Sequence, residues 1–165
     1  MATPGRNAAK KKFVDFLQGQ KLRITPQRRA ILETVFSTAQ HFTAVQLLKW
    51  SRRRDKSVSR ATVYRTLPLL TGSGLLREMD FGRDCVYYDP NYADRPNHNH
   101  IICLDCDMIF EFESEQINQV EVKLCQKLGF SVKTHRLQIT AHCDQLKKTG
   151  VCNRKKETSG KLKPD

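Results

Sequence analysis

Nowhere in the 165 residues does an apolar run approach the roughly 20 residues that a bilayer-spanning helix needs. The basic N-terminus, Met1 to Lys12, is followed by no apolar segment of the secretory kind. The chain is therefore expected to be soluble and cytoplasmic, with no membrane partner. A reducing cytosol disfavours structural disulfides, so the six cysteines read as thiols or metal ligands. Absent too is the His-x-Glu with Pro-Cys-x-x-Cys that a zinc-dependent nucleic-acid-modifying enzyme would use to poise a glutamate beside an open metal position. No enzyme and no small-molecule substrate is expected.

Acidic residues are also scarce, 17 against 29 Lys and Arg, and the resulting charge of +12 is unevenly placed. Residues 1–84 carry 17 basic and 6 acidic side chains, whereas residues 85–165 carry 12 and 11. The first half suits a polyanion. Four of the five histidines and both members of two cysteine pairs lie in the second half. With 39% hydrophobic content, the chain can hold one ordinary domain or two small ones of about 80 residues. Domains of that size profit from a metal staple.

The segment His98-Asn99-His100-Ile101-Ile102-Cys103-Leu104-Asp105-Cys106 supplies two kinds of donor. Thiolates three apart on a tight turn can share one ion, and Cys143 with Cys152 can complete a closed tetrahedral zinc site. Imidazoles two apart on a strand face the same way, so His98 and His100 can share a second, distinct ion. Taken singly, a Cys-x-x-Cys is also a redox motif and His-x-His is weak. The distal cysteine pair is what strengthens both.

Residues 1–12 read as a flexible basic arm and residues 153–165 as a disordered tail, since neither shows apolar periodicity. Thr25-Pro26 opens a helix with the stripe Ala30, Ile31, Val35. Thr43-Ala44-Val45-Gln46 is a capping box opening a second helix, which Arg52-Arg53-Arg54 closes. Ser59 caps a third, from Arg60 to about Thr71, with Val63, Leu67 and Leu70 inward and Ala61, Tyr64 and Arg65 outward. Pro68 should bend it. Leu75 to Asp80 and Cys85 to Asp89 form a hairpin. Three helices and a hairpin describe a winged helix-turn-helix over residues 13–89, with the third helix entering the major groove.

Residues 90–97, with two prolines, form the hinge linker. Residues 98–152 then read as a small α+β unit: strands His100 to Leu104 and Met108 to Phe112, a helix from Ser114 to Leu128, and a strand from Val132 to Ala141. Such a unit is thin enough to need dimerisation. A zinc-ribbon RNA-binding module would account for charge and cysteines but not for the capped Tyr-Arg helix and its hairpin.

Leu22-Arg-Ile-Thr-Pro-Gln-Arg28, Ala61-Thr-Val-Tyr-Arg-Thr-Leu67 and His98-x-His100-x-x-Cys103-Leu-Asp-Cys106 resemble, in order, the motifs of the ferric uptake regulator family. The likeness extends over roughly residues 13–152. It implies an α+β protein with an N-terminal winged-helix DNA-binding domain and a C-terminal α/β dimerisation domain. The implied function is a homodimeric, metal-dependent repressor that binds palindromic duplex operators. Structural Zn(II) would sit on Cys103, Cys106, Cys143 and Cys152, although eight residues rather than two to four separate the second pair. His41, Asp89, His98, His100 and Glu111 would form the sensory site for Fe(II), Zn(II) or Mn(II), with Fe(II) foremost. Asp89 matches only if two extra linker residues are allowed. Regulators of zinc uptake or of the peroxide response are the alternatives, and Glu111 stands where peroxide sensors tend to carry Asp.

For DNA, Arg28, Arg29, Arg54 and Lys56 are candidates for phosphate contacts. Tyr64 suits a thymine methyl and Arg65 a guanine edge or a phosphate, with Arg60 and Thr62 at the start of the same helix. A further metal site of some iron-sensing relatives would fall on Asn97, Asn99, Asn118 and His135. Amides are poor donors beside carboxylates and imidazoles, so that site is expected to be lost. His135 and His142 are then strand residues, Cys125 a buried helix thiol and Cys85 a hairpin thiol.

Overall fold

The computed structural model describes residues 4–38, 40–80, 82, 85–90, 98–106 and 108–152, with side chains from Asn7 onward. The expected tail and all of the expected linker except Pro90 lie outside the described residues, as do Phe81, Arg83 and Asp84 of the hairpin turn. The chain divides into two compact units, Met1–Asp94 and Arg95–Asp165.

The first unit contains helices α1 (Pro4–Gly19), α2 (Pro26–Val35), α3 (Ala44–Arg54) and α4 (Arg60–Gly72), with strands β1 (Phe42–Thr43), β2 (Arg77–Met79) and β3 (Tyr87–Asp89). Helix starts follow local chemistry. Thr25 Oγ1 accepts the Arg28 N–H at 3.2 Å ahead of Pro26, whose missing donor would be unpaired in any first turn. The Thr43–Gln46 box is reciprocal: Thr43 Oγ1 accepts the Gln46 N–H at 3.3 Å, and Gln46 Oε1 accepts the Thr43 N–H at 2.8 Å. Ser59 accepts the Thr62 N–H at 3.1 Å. Helix α4 runs unbroken in its assignment through Pro68.

Helices α2, α3 and α4 pack on one another around Ile31, Leu32, Leu47, Val63, Leu67 and Leu70, all at most 1% exposed. The sheet order is β1-β3-β2, both pairs antiparallel, so the hairpin gains a short third strand that the sequence pattern did not suggest. This is a winged helix-turn-helix.

The basic arm expected over residues 1–12 is helix from Pro4 onward. Phe13 and Leu17 are one turn apart and at most 1% exposed, and Ala9 packs against the same core a turn earlier. One apolar residue per turn is too sparse to register as a stripe. The Ala-Ala-Lys-Lys-Lys run nonetheless has high helix propensity, and two buried anchors suffice to dock it.

The second unit has strands β4 (Asn99–Cys103), β5 (Ile109–Phe112) and β6 (Gln138–Ala141) and helices α5 (Glu115–Lys127) and α6 (Asp144–Thr149). Its sheet order is β5-β4-β6, with β4 antiparallel to β5 and parallel to β6. The strand expected from Val132 begins only at Gln138, the residue that pairs with His100 in the parallel β4–β6 ladder. His135 and His142 accordingly lie outside β6. Helix α5 buries no residue, so Cys125 is half-exposed rather than a core thiol, and Cys85 is exposed. No helix among the described residues is long and apolar enough to cross a membrane.

Phe13→Ala should destabilise the first unit by about 3–5 kcal/mol in chemical denaturation, the range for truncating a buried phenylalanine. A loss below about 1 kcal/mol would show α1 to be an appendage rather than part of the core.

Candidate functional site

Two chemically different donor sets emerge from the strands. The first is all sulfur and lies within the second unit. Cys103 ends β4, and the turn that follows is pinned on both sides: the Cys103 N–H donates to the Met108 carbonyl at 2.9 Å, and the Leu104 N–H to the Ala141 carbonyl at 2.9 Å. The turn presents Cys106. From the other direction, β6 delivers Cys143, whose Sγ accepts the Leu146 N–H at 3.4 Å and so caps α6.

The eight residues between Cys143 and Cys152 are a turn-back. Six of them form α6, then Gly150 adopts the left-handed region (φ 69°) that a side chain would disfavour, and the chain reverses. Cys152 Sγ thereby lies 3.9 Å from Cys143 Sγ and 3.7 Å from Cys106 Sγ, with Cys103 in the same buried cluster. Sulfurs at the corners of a tetrahedron with Zn–S bonds of about 2.3 Å stand about 3.8 Å apart. No disulfide joins any of the six cysteines. The donor chemistry and the spacing both fit one thiophilic divalent ion.

Burial, with the neighbouring Cys103 and Cys152 thiols, pushes the Cys106 thiol up to about 12, against the lowering influence of the Met108 backbone. Without a cation the Cys106 thiol stays protonated at neutral pH. A metal reverses that preference, because a coordinated thiol loses its proton outright.

Nitrogen and oxygen donors gather separately in each unit. In the first unit the β1–β3 register pairs Phe42 with Tyr88, and continuing it places His41 across from Asp89. His41 Nε2 lies 3.9 Å from Asp89 Oδ1. Asp89 is itself the register partner of Arg77, a buried arginine that the sequence did not single out. In the second unit the His98 and His100 rings have centroids 4.6 Å apart, and β4–β5 pairing sets Glu111 opposite His100. His98 Nε2 to Glu111 Oε1 is 3.9 Å. Two donors on one ion cannot be farther apart than two bonds of about 2.1 Å laid end to end, about 4.2 Å. Both 3.9 Å pairs pass that test.

The outward face of α4 is the third feature. Ala61, Tyr64 and Arg65 are exposed, Tyr64 at 52%, while Val63, Thr66, Leu67 and Leu70 hold the other face in the core. Arg65 Nε donates to the Ala61 carbonyl at 3.1 Å, lying along the helix. The Thr62 hydroxyl is bonded to that of Ser59 at 2.9 Å. Arg29, Arg54, Lys56 and Arg60 are exposed and Arg28 half-buried. Arg28 reaches the Arg23 carbonyl at 2.7 Å and Arg54 the Ser37 hydroxyl at 2.7 Å.

The sequence profile of the ferric uptake regulator family matches residues 19–140. The chain belongs to the ferric uptake regulator family. It is 34% identical over 138 residues to the peroxide operon regulator of Bacillus subtilis, covering 84% of this chain and 93% of that one. It is 33% identical over 123 residues to the ferric uptake regulation protein of Synechococcus elongatus, covering 73% and 83%. The solved ferric uptake regulator of Helicobacter pylori, with three functional metal-binding sites, superposes with a TM-score of 0.80 at 20% identity over 88% of this chain and 96% of that one. At that identity the likeness speaks for the fold. Ferric uptake regulator proteins are metal-responsive transcription regulators, not enzymes, and this chain is one of them.

The residues on which a further metal site was expected to be lost have other engagements where they are described. Asn97 lies outside the described residues; Asn99 Oδ1 accepts the Leu137 N–H at 3.3 Å, and His135 Nδ1 faces Glu121 Oε2 at 3.4 Å. The sequence also left Asp105 unremarked. Its carboxylate takes the Cys143 N–H at 2.5 Å and His142 Nδ1 at 3.0 Å, contacts that hold its carboxyl below the ordinary value, with His142 contributing most. The available signal was an Asp inside a tight turn, where the side chain habitually bonds backbone.

Because the Cys106 thiol sits near 12 without metal, uptake of Zn(II) or Co(II) by metal-free protein should release protons, and apparent affinity should rise as pH goes from about 6 to 8. Chelator competition at each pH, with proton release read in weak buffer, measures both. A pH-independent affinity would mean that the thiols do not carry the ion.

Proposed function

We propose that this regulator is a cytoplasmic repressor that binds palindromic duplex operators as a homodimer when a regulatory divalent ion is held. Four thiolates, Cys103, Cys106, Cys143 and Cys152, would hold structural Zn(II). His41, Asp89, His98, His100 and Glu111 would take the regulatory ion, Fe(II) foremost. The carrying observation is where the nitrogen and oxygen donors stand in the chain: Asp89 closes the last strand of the first unit, and in the second His98 directly precedes the first strand and His100 lies in it. Residues 90–97 are the hinge linker of this reading, between a DNA-binding domain at 13–89 and a dimerisation domain at 98–152.

A structural ion acts as a crosslink, and a regulatory ion supplies attraction between donors that would otherwise repel or hold solvent. His98 and His100 present imidazole nitrogens, and Glu111 and Asp89 supply charge that suits a borderline or hard cation better than a soft one. Binding that ion restrains how the two domains are disposed. If the restrained arrangement is the one that fits operator, metal and operator binding are coupled, typically by about 1–3 kcal/mol, and each raises affinity for the other by the same factor.

Dimerisation is supported by apolar surface. Val120, Leu124 and Leu128 recur along α5 at four-residue spacing and are 57–65% exposed, with Phe130 just beyond at 67%. Solvated monomers rarely keep such a stripe. On DNA, Arg28, Arg29, Arg54, Lys56 and Arg60 would contact phosphates. Tyr64, Arg65 and Thr62 would address the major groove, with Thr62 freed from Ser59 only if it reaches a base or phosphate. Glu111, where peroxide sensors tend to carry Asp, favours the metal-uptake reading over the peroxide one.

His98→Ala or His41→Ala should leave zinc content and dimerisation intact and remove the metal-stimulated part of operator binding, in anaerobic titrations with and without Fe(II). A full metal response in His98→Ala would move the sensory site elsewhere. Tyr64→Ala should weaken operator binding by about 1–3 kcal/mol while sparing random duplex. Equal losses on both would take sequence reading away from α4. Leu124→Arg should yield monomer by light scattering, and a persistent dimer would place the interface off α5.

A further inference from the structure

The two cysteine pairs come from opposite ends of the second unit's described sequence, and one side chain joins them. Asp105 lies inside the Cys103–Cys106 turn, and each of its carboxylate oxygens takes one contact from the other pair's approach. Oδ2 accepts the backbone N–H of Cys143 itself, and Oδ1 faces His142 Nδ1. The side chain thus spans 38 residues of sequence to grip the residue that supplies the third sulfur.

We propose that Asp105 is a positioning residue that latches Cys143 onto the Cys103–Cys106 turn, with His142 as its second grip, and so sets how fast the thiol site takes up and releases its ion. The inference rests on the four-thiolate reading.

The physical reasoning has three steps. A four-sulfur site assembled from two distant segments must bring those segments together, and the entropy of doing so opposes binding unless something else has already paired them. The strand end is tied separately, by the Leu104 N–H donating to the Ala141 carbonyl. That bond fixes the strand end but leaves the backbone of Cys143, two residues on, to be held by something else.

The second step concerns the long insert. With eight residues between Cys143 and Cys152, the second pair is not a self-contained tight turn like the first. Cys143 instead caps a short helix, and its position depends on what anchors its own backbone. The Asp105 carboxylate is that anchor. A bond from an ionised oxygen to a backbone N–H is stronger than a neutral one.

The third step is charge. Four thiolates on a divalent ion carry a net charge of −2, and an adjacent carboxylate would add to it. Lys147, on α6, is a cation beside that cluster. Both Asp105 oxygens are already engaged, one by the Cys143 N–H and one by His142 Nδ1, a task distinct from donating to the metal. Outer groups of this kind typically change metal affinity by about 10- to 100-fold when removed.

The test uses full-length protein as wild type, Asp105→Ala, Asp105→Asn and His142→Ala. Zinc release to a chromophoric chelator gives the rate, and Co(II)-substituted protein gives the ligand set through its thiolate charge-transfer and tetrahedral visible bands. Asp105→Ala should release zinc about 10- to 100-fold faster with unchanged Co(II) bands and circular dichroism. Asp105→Asn, which keeps an oxygen for the Cys143 N–H but loses charge, should fall between it and wild type. His142→Ala should show a smaller acceleration.

Wild-type release rates in both Asp105→Asn and Asp105→Ala would overturn the proposal. So would Co(II) bands altered in Asp105→Asn, which would make Asp105 a donor rather than a latch. Should Asp105→Ala fail to fold, Asp105→Asn and His142→Ala decide the matter by the same rates. If wild-type protein itself lacks thiolate-to-Co(II) bands, the four-thiolate reading fails independently of the latch.

Discussion

Everything in the second unit depends on four sulfurs being held together against their own chemistry. Unit Arg95–Asp165 has little else to build on: α5 buries nothing, and its buried apolar residues among those described are Ile102 and three cysteines. A domain of this size ordinarily needs a staple, since it cannot bury enough apolar surface to offset chain entropy. An ion on the proposed thiol set would sit where β4 ends and β6 ends, and would fix the parallel pairing of those strands. The β4–β5 pairing, on the other edge of β4, sets His100 opposite Glu111. The imidazole and carboxylate donors of this unit and its first thiol pair thus depend on one central strand.

Separating the two donor sets has a chemical logic. Sulfur donors select thiophilic cations and close all four positions, giving an ion that leaves slowly and reports nothing. Imidazole and carboxylate donors accept a wider range of first-row divalent ions and exchange them faster. A chain that used one donor type for both tasks would let the sensed metal displace the structural one. Placing histidines and thiols three residues apart on one strand, as in His100 and Cys103, is workable because the strand's alternation turns them to different faces.

How much of this was legible in the sequence depends on how local the determinant is. The helix starts at Pro26, Ala44 and Arg60 are written in contacts three residues apart, Thr25 to Arg28, Thr43 to Gln46 and Ser59 to Thr62, so they can be read directly. The cysteine pairs could be singled out because thiols are rare and their spacing is constrained, and the structure brings the four into one cluster. Helix α1 was not, because its anchors Phe13 and Leu17 acquire meaning only from the core they meet. The bounds of β6 follow its ladder with β4, from His100–Gln138 to Cys103–Ala141. The β1 segment of two residues and the α6 turn-back are likewise consequences of partners far away in sequence.

The Cys143–Cys152 spacing shows the same divide from the other side. Judged by number alone, eight intervening residues look too many for a chelating pair. Six of them in a helix advance the chain by only about 9 Å at 1.5 Å per residue. The Thr149 hydroxyl then donates to the Val151 carbonyl at 3.0 Å, and Gly150 turns the chain back through a left-handed conformation. A helix followed by a reversal brings its two flanks close together, which is why a long insert can present two sulfurs 3.9 Å apart. The same construction leaves Cys152 held by the turn behind it and Cys143 by the cap and the Asp105 carboxylate. Each donor of the second pair therefore has its own support, and the spacing rule that fits shorter inserts is replaced here by secondary structure.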